Sequence, residues 1–128
     1  MSSICKMEFL AGSASMLFLD SLYLRMVKGQ WDKMVASIQG SPLALRLMPA
    51  VAVYILMSFA LYYFIVVPGR SVYDAALLGL VIYGVFDMTN LALFAKYGFA
   101  AAVVDVLWGA LLFAASAFVV RTVFRKRA

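Results

Sequence analysis

The 128 residues are 66% hydrophobic and 13% charged, whereas soluble domains are near half apolar and a quarter charged, so a water-soluble domain is excluded. The chain has no histidine and one cysteine, Cys5, which removes a histidine general base, a zinc site and an intrachain disulfide. Its net charge of +5 does not point to nucleic acid, because Arg121, Arg125, Lys126 and Arg127 follow directly on an apolar run and form a tail, not a folded basic face. They are read as membrane-surface basic residues.

A membrane-crossing helix takes about 20 apolar residues, so four crossings fit in one membrane domain over residues 1–128 with short loops. The first span is predicted over 9–27, closed by Arg25 and Lys28. Ser13 to Asp20 offers no small-x-small site after the apolar stretch, so a retained span is expected in preference to a cleaved signal peptide. Residues 28–41 place Trp31, Met34, Val35 and Ile38 at helical spacing and predict a short interfacial helix that ends at Gly40. The second span, 47–67, has no charge; Pro49 lies in its first turn and Pro68-Gly69-Arg70 stops it. The third, 75–95, contains Asp87, Thr89 and Asn90, and a Lys96-Tyr97-Gly98 turn leads to the fourth, 99–120, with Asp105. Residues 121–128 form the basic tail. The expected fold is all-α, a four-transmembrane-helix up-down bundle, since open sheet is not tolerated in lipid. Tyr23, Trp31, Tyr62, Tyr63, Tyr73 and Tyr97 fall near the proposed ends, as an interfacial aromatic belt would.

Orientation is nearly balanced. Lys6, Arg70, Arg121, Arg125, Lys126 and Arg127 share the side of the termini, and Arg25, Lys28, Lys33, Arg46 and Lys96 share the other. The crowding of charge in the tail places the termini in the cytoplasm, with dual orientation as the alternative.

The informative residues are the acids inside the spans. At 1.5 Å per residue, Asp20, Asp87 and Asp105 all lie roughly 9 to 12 Å in from the side opposite the termini, and Tyr54 stands at a similar level. Helical phase puts Tyr83, Gly84 and Asn90 on the face of Asp87, with Thr89 turned away. Trp108 and Gly109 share the stripe of Asp105, and Tyr23 that of Asp20. Trp108 is too deep for the belt, so its N–H requires an acceptor, for which Asp105 or Asp87 is the natural choice. Gly84 and Gly109 are the small residues that close helix packing in lipid requires. Carboxyls at one depth do not all ionise, because burial and mutual repulsion both favour the protonated form, and they titrate as a coupled set.

Intramembrane carboxylates are functional-site hypotheses by default. The candidate ion, proton or polar-ligand site is therefore Asp20, Asp87, Asn90 and Asp105, supported by Tyr54, Tyr83, Thr89 and Trp108; whether it takes a metal is open. One reading is a multi-pass protein that binds a proton or cation as part of a transport or conductance unit, without a cofactor. Its partners are then the lipid bilayer and a second copy or another membrane protein, since four helices rarely enclose a pathway alone. The other reading is a structural or accessory membrane protein whose buried polar residues only pack helices. A lipid-modifying enzyme is least favoured, as the acids have no histidine or lysine beside them.

Three segments carry a family resemblance: F-L-D-S-L-Y-L (Phe18 to Leu24), Y-G-V-F-D-M-T-N-L-A (Tyr83 to Ala92) and V-D-V-L-W-G (Val104 to Gly109). In this order and spacing the chain resembles a predicted-membrane-protein family, the domain of unknown function twenty-one seventy-seven, over about Glu8 to Arg121. Tyr23 departs from a tryptophan common in relatives, and the Lys96-Tyr97-Gly98-Phe99 turn lacks their Trp-Pro. The resemblance implies a compact four-span fold and one shared motif of Asp20, Asp87, Thr89, Asn90, Asp105 and Trp108; it implies no activity.

Overall fold

Long apolar runs free of internal proline have one way to satisfy their backbone in lipid, the α-helix. The computed structural model describes residues 3–124 and is helical throughout: α1 Ser3–Gln39, α2 Leu47–Leu61 continued by a π-helical turn Tyr62–Val66, α3 Val72–Leu93, and α4 Phe99–Phe124. Three stretches, Leu47–Val66, Val72–Leu93 and Phe99–Phe124, are long and apolar enough to cross a membrane. The first half of α1 does not meet that measure, because Gly12, Ser13, Ser15, Asp20 and Ser21 dilute its apolar run.

The separate interfacial helix expected over 28–41 does not exist as its own element. α1 passes through it unbroken and stops at Gly40, whose φ of 75° is the left-handed conformation that ends helices. A lone Gly29 costs a helix only about 1 kcal/mol, and a Lys28–Asp32 ion pair of 2.7 Å spans it. Pro49 falls in the first turn of α2, as expected, where its missing N–H has no intrahelical acceptor. The α2 stretch ends at Gly69, φ 73°, with the Arg70 amide returned to the Ile65 carbonyl at 2.8 Å. α3 begins three residues before the predicted start because Ser71 caps it, its hydroxyl accepting from the Asp74 amide at 3.1 Å. α4 runs on past residue 120 to Phe124, so Arg121 lies in its last turn; Arg125, Lys126 and Arg127 lie outside the described residues.

α4 is the central helix, packed along α3 on one side and α1 on the other. α2 lies on α1, and its π-helical turn touches both α1 and α4, but α2 and α3 hardly meet. Met16, Leu61, Ala75, Leu112, Phe113, Ala117 and Val120 form the core. Large apolar side chains such as Phe18, Leu56, Val85 and Leu107 point outward, the surface a hydrocarbon solvent calls for. The glycine that closes the α3–α4 seam is Gly79, not Gly84. A Cβ on Gly79 would stand 2.1 Å from the Gly109 carbonyl oxygen, and one on Gly109 would stand 2.2 Å from the Tyr83 ring, whereas Gly84 has nothing within 4 Å.

Candidate functional site

α1 buries Glu8, Gly12, Met16, Asp20 and Tyr23, steps of four residues and finally three that keep one face turned inward. Asp20 and Tyr23 therefore meet α4, which buries Asp105 and Gly109 on its facing stripe. The two helices exchange hydrogen bonds: the Trp108 indole N–H donates to Asp20 Oδ1 at 2.9 Å, and the Tyr23 hydroxyl donates to Asp105 Oδ1 at 3.0 Å. The partners run in opposite order along the two helices, so α1 and α4 are antiparallel here. D-S-L-Y on α1 and D-V-L-W on α4 thus form a crossed pair, each supplying an acid and, three residues on, the donor for the other's acid. The Tyr23 and Trp108 rings stack at 4.8 Å and 6° between them. Trp108 accordingly bonds across to α1, neither to Asp105 nor to Asp87 as the sequence suggests.

Asp20 also accepts from the Tyr54 hydroxyl of α2, so both of its oxygens are occupied and three helices are tied at one residue. Asp87, 0% exposed, accepts from the Tyr97 hydroxyl at 2.6 Å. Its second oxygen, Oδ2, is buried without a hydrogen-bond partner, and the carboxyl of Asp105 is its neighbour across the α3–α4 seam. Two ionised carboxylates offer acceptors only, so a bond between them requires that one of the two carries a proton. No ion pair joins Asp20, Asp87 or Asp105 to a Lys or Arg among the described residues.

The structure thus brings Asp20, Asp87, Asp105, Tyr54 and Trp108 into one network. Asn90 approaches the Tyr97 phenol at its edge, and Tyr83 packs its ring on Gly109. Thr89 is exposed and stays outside the network. Tyr23 and Tyr97, expected in the interfacial belt, are buried at 8% and 7% exposure and serve as donors to the acids; Tyr63 and Tyr73 do point outward. Tyr97 sits in the turn between α3 and α4, where burial, reinforced by its bond to Asp87, pushes the phenol up and keeps it a donor. A signal for Tyr23 was present in its three-residue spacing from Asp20. None existed for Tyr97, whose partner lies a turn and a half-loop away. Glu8, 3% exposed, is a further buried acid that sequence reading left out.

Two cavities flank this core. One, of about 420 Å³, opens between α2 and α3 and has Asp20, Tyr23, Tyr83 and Asp105 in its lining. The other, of about 320 Å³, lies at the opposite end between the close of α2 and the end of α4, and Arg70 and Arg121 line it. Among the described residues no group of three or more His, Cys, Asp or Glu side chains is placed to hold a metal ion.

No curated protein and no solved structure is significantly similar to the chain. The family model described as Predicted membrane protein (DUF2177) matches residues 5–122, nearly the whole length, and the chain belongs to that family.

Proposed function

We propose that this membrane protein is a proton-binding unit whose exchangeable proton sits between Asp87 and Asp105. The observation on which the reading rests is the buried, unpartnered Oδ2 of Asp87, with the Asp105 carboxyl as its acidic neighbour. An orphaned buried acceptor costs about 1–3 kcal/mol, and a proton shared with the neighbour removes that cost. The groups that face the pair are Tyr97 on the turn, Tyr23 and Asp20 on α1, and Tyr83 on α3. All are neutral donors or acids, so nothing cationic competes with the proton. A metal cation fits less well, since the three acids do not converge.

In this reading α1 makes a fourth crossing over residues 9–27. Leu10, Leu17, Phe18 and Leu22 point outward, and the only charge between Glu8 and Arg25 is Asp20, which is buried and hydrogen-bonded. The termini lie in the cytoplasm, following the basic residues at the end of α4. The helix-packing reading also has an observation in its favour: Asp20 accepts from Tyr54 of α2 and Trp108 of α4, so it ties helices while Asp87 and Asp105 hold the proton.

Proteoliposomes containing a trapped pH dye test the reading. Wild type acidifies or alkalinises the lumen when a pH gradient or potential is imposed, and Asp87→Asn inserts normally but is silent. Absence of flux in wild type under either gradient, or full flux in Asp87→Asn, refutes it and leaves the packing role.

A further inference from the structure

The cavity between α2 and α3 is built for more than access to a proton. Its volume of about 420 Å³ lies in the range of small-molecule sites, roughly 300–1,000 Å³. Asp20 and Asp105 line it, together with the rings of Tyr23, Trp31, Tyr83 and Phe86. The Tyr83 hydroxyl has no hydrogen-bond partner among the described residues, and no Lys or Arg lines the space. Carboxyls and aromatic rings both attract cations. The remaining wall, Leu24, Val53, Leu56, Met57 and Ile82, is apolar and suits an apolar body.

The mouth sets the route. Because α2 and α3 hardly meet, the cavity opens sideways, and Val53 and Leu56 at its rim are exposed on the outer surface. A hydrated inorganic cation would have to shed its water to arrive from that direction, whereas a hydrophobic cation already partitions into hydrocarbon. An anion would meet two carboxyls, and a neutral lipid chain would leave both without a counter-charge.

We propose that this cleft binds a hydrophobic monovalent organic cation, an ammonium or phosphonium carrying an apolar body, which enters from the bilayer and seats its charge against Asp20 and Asp105. The proposal deepens the preceding reading and rests on it in one respect: Asp105 also shares the proton, so cation and proton exclude one another.

The chain reports on the cleft itself. It has two tryptophans; Trp31 lines the cavity, and Trp108 stacks on Tyr23. Protein in phosphatidylcholine nanodiscs is titrated with tetraphenylphosphonium while tryptophan fluorescence is followed, with tetraphenylborate as the probe of matched shape and opposite charge, and empty nanodiscs as the blank. Wild type gives a saturable change with the cation only. Asp105→Asn weakens the cation about tenfold or more, and Ile82→Phe, which fills the apolar wall and leaves every carboxyl in place, does the same. Raising the pH by one unit tightens binding by up to about tenfold, as one displaced proton requires. No saturable response, an equal response to tetraphenylborate, or wild-type affinity in both variants overturns the proposal. Proton flux without tetraphenylphosphonium binding overturns it and leaves the proton reading standing. Saturable, pH-independent binding supports the cation site and counts against the shared proton.

Discussion

Along α4, α3 approaches so closely that a methyl group on Gly79 would stand 2.1 Å from the Gly109 carbonyl oxygen; along α2, the same helix barely makes contact and a cavity of about 420 Å³ separates the two. Both faces of α3 are apolar, so hydrophobicity does not explain the difference. In lipid, helices associate through close packing and hydrogen bonds, because acyl chains are as apolar as leucine. The α4 face has glycines on both partners, and the seam closes. The α2 stretch has no glycine in Leu47–Val66, and the residues it turns to α3 across the cleft include Leu56 and Met57 opposite Ile82 and Phe86. The seam fixes where the acids stand, and the cleft leaves them reachable.

The contrast can be broken from the seam. Gly79→Ala forces α3 and α4 apart against backbone atoms, and we expect a loss of about 3 kcal/mol, the upper end for overpacking, read as unfolding at lower sodium dodecyl sulfate fraction in mixed micelles. Wild-type unfolding in this variant would mean that the seam is not closed as described. The crossed pair bordering the cleft gives an intermediate effect. Trp108→Phe leaves Asp20 with one donor and Tyr23→Phe removes the phenol donor of Asp105, each costing on the order of 1 kcal/mol. Because the two rings stack, the double variant costs less than the sum, by about 0.5 kcal/mol or more in a double-mutant cycle; strict additivity would separate the two bonds energetically. Gly84→Ala has the smallest effect and the opposite sign. With nothing within 4 Å to meet, the added methyl group raises helix propensity and stabilises by about 0.5–1 kcal/mol. A loss comparable to that of Gly79→Ala would restore Gly84 to a packing interface.

Much of this was legible in the residues. The apolar runs gave three helices within a few positions, Gly40 and Pro68-Gly69 marked two ends, and Asp20, Asp87 and Asp105 stood out as acids in an apolar setting. Helical phase also grouped Asp20 with Tyr23 and Asp105 with Trp108. Phase, however, describes one helix at a time. The rotation of α1 against α4 decides that Trp108 bonds Asp20 and Tyr23 bonds Asp105, and no single-helix wheel contains it. The same limit hides that Gly79, and not Gly84 a turn and a half away on a different side of α3, closes the seam. The polar stretch from Lys28 reads as a separate interfacial helix because local pattern omits the Lys28–Asp32 pair and the contacts of Trp31 and Met34 with the α3–α4 turn. Tyr97 was hidden by its position at a span end, where an aromatic is ordinarily interfacial.

The continuity of α1 has a mechanical consequence. Beyond Tyr23 the same rod extends to Trp31, whose ring meets Tyr97 edge-on at 5.8 Å, and to Met34, whose sulfur accepts from the Gly98 amide at 3.1 Å. Asp20 and Trp31 are eleven residues apart, about 16 Å along the axis and within about 20° of one another around it. The helix is unbroken between them, so both residues belong to one rod. Tyr97 touches both ends of this linkage, Trp31 above and Asp87 below. The α1 extension is thereby joined to the interior network twice, along its own axis to Asp20 and through Tyr97 to Asp87.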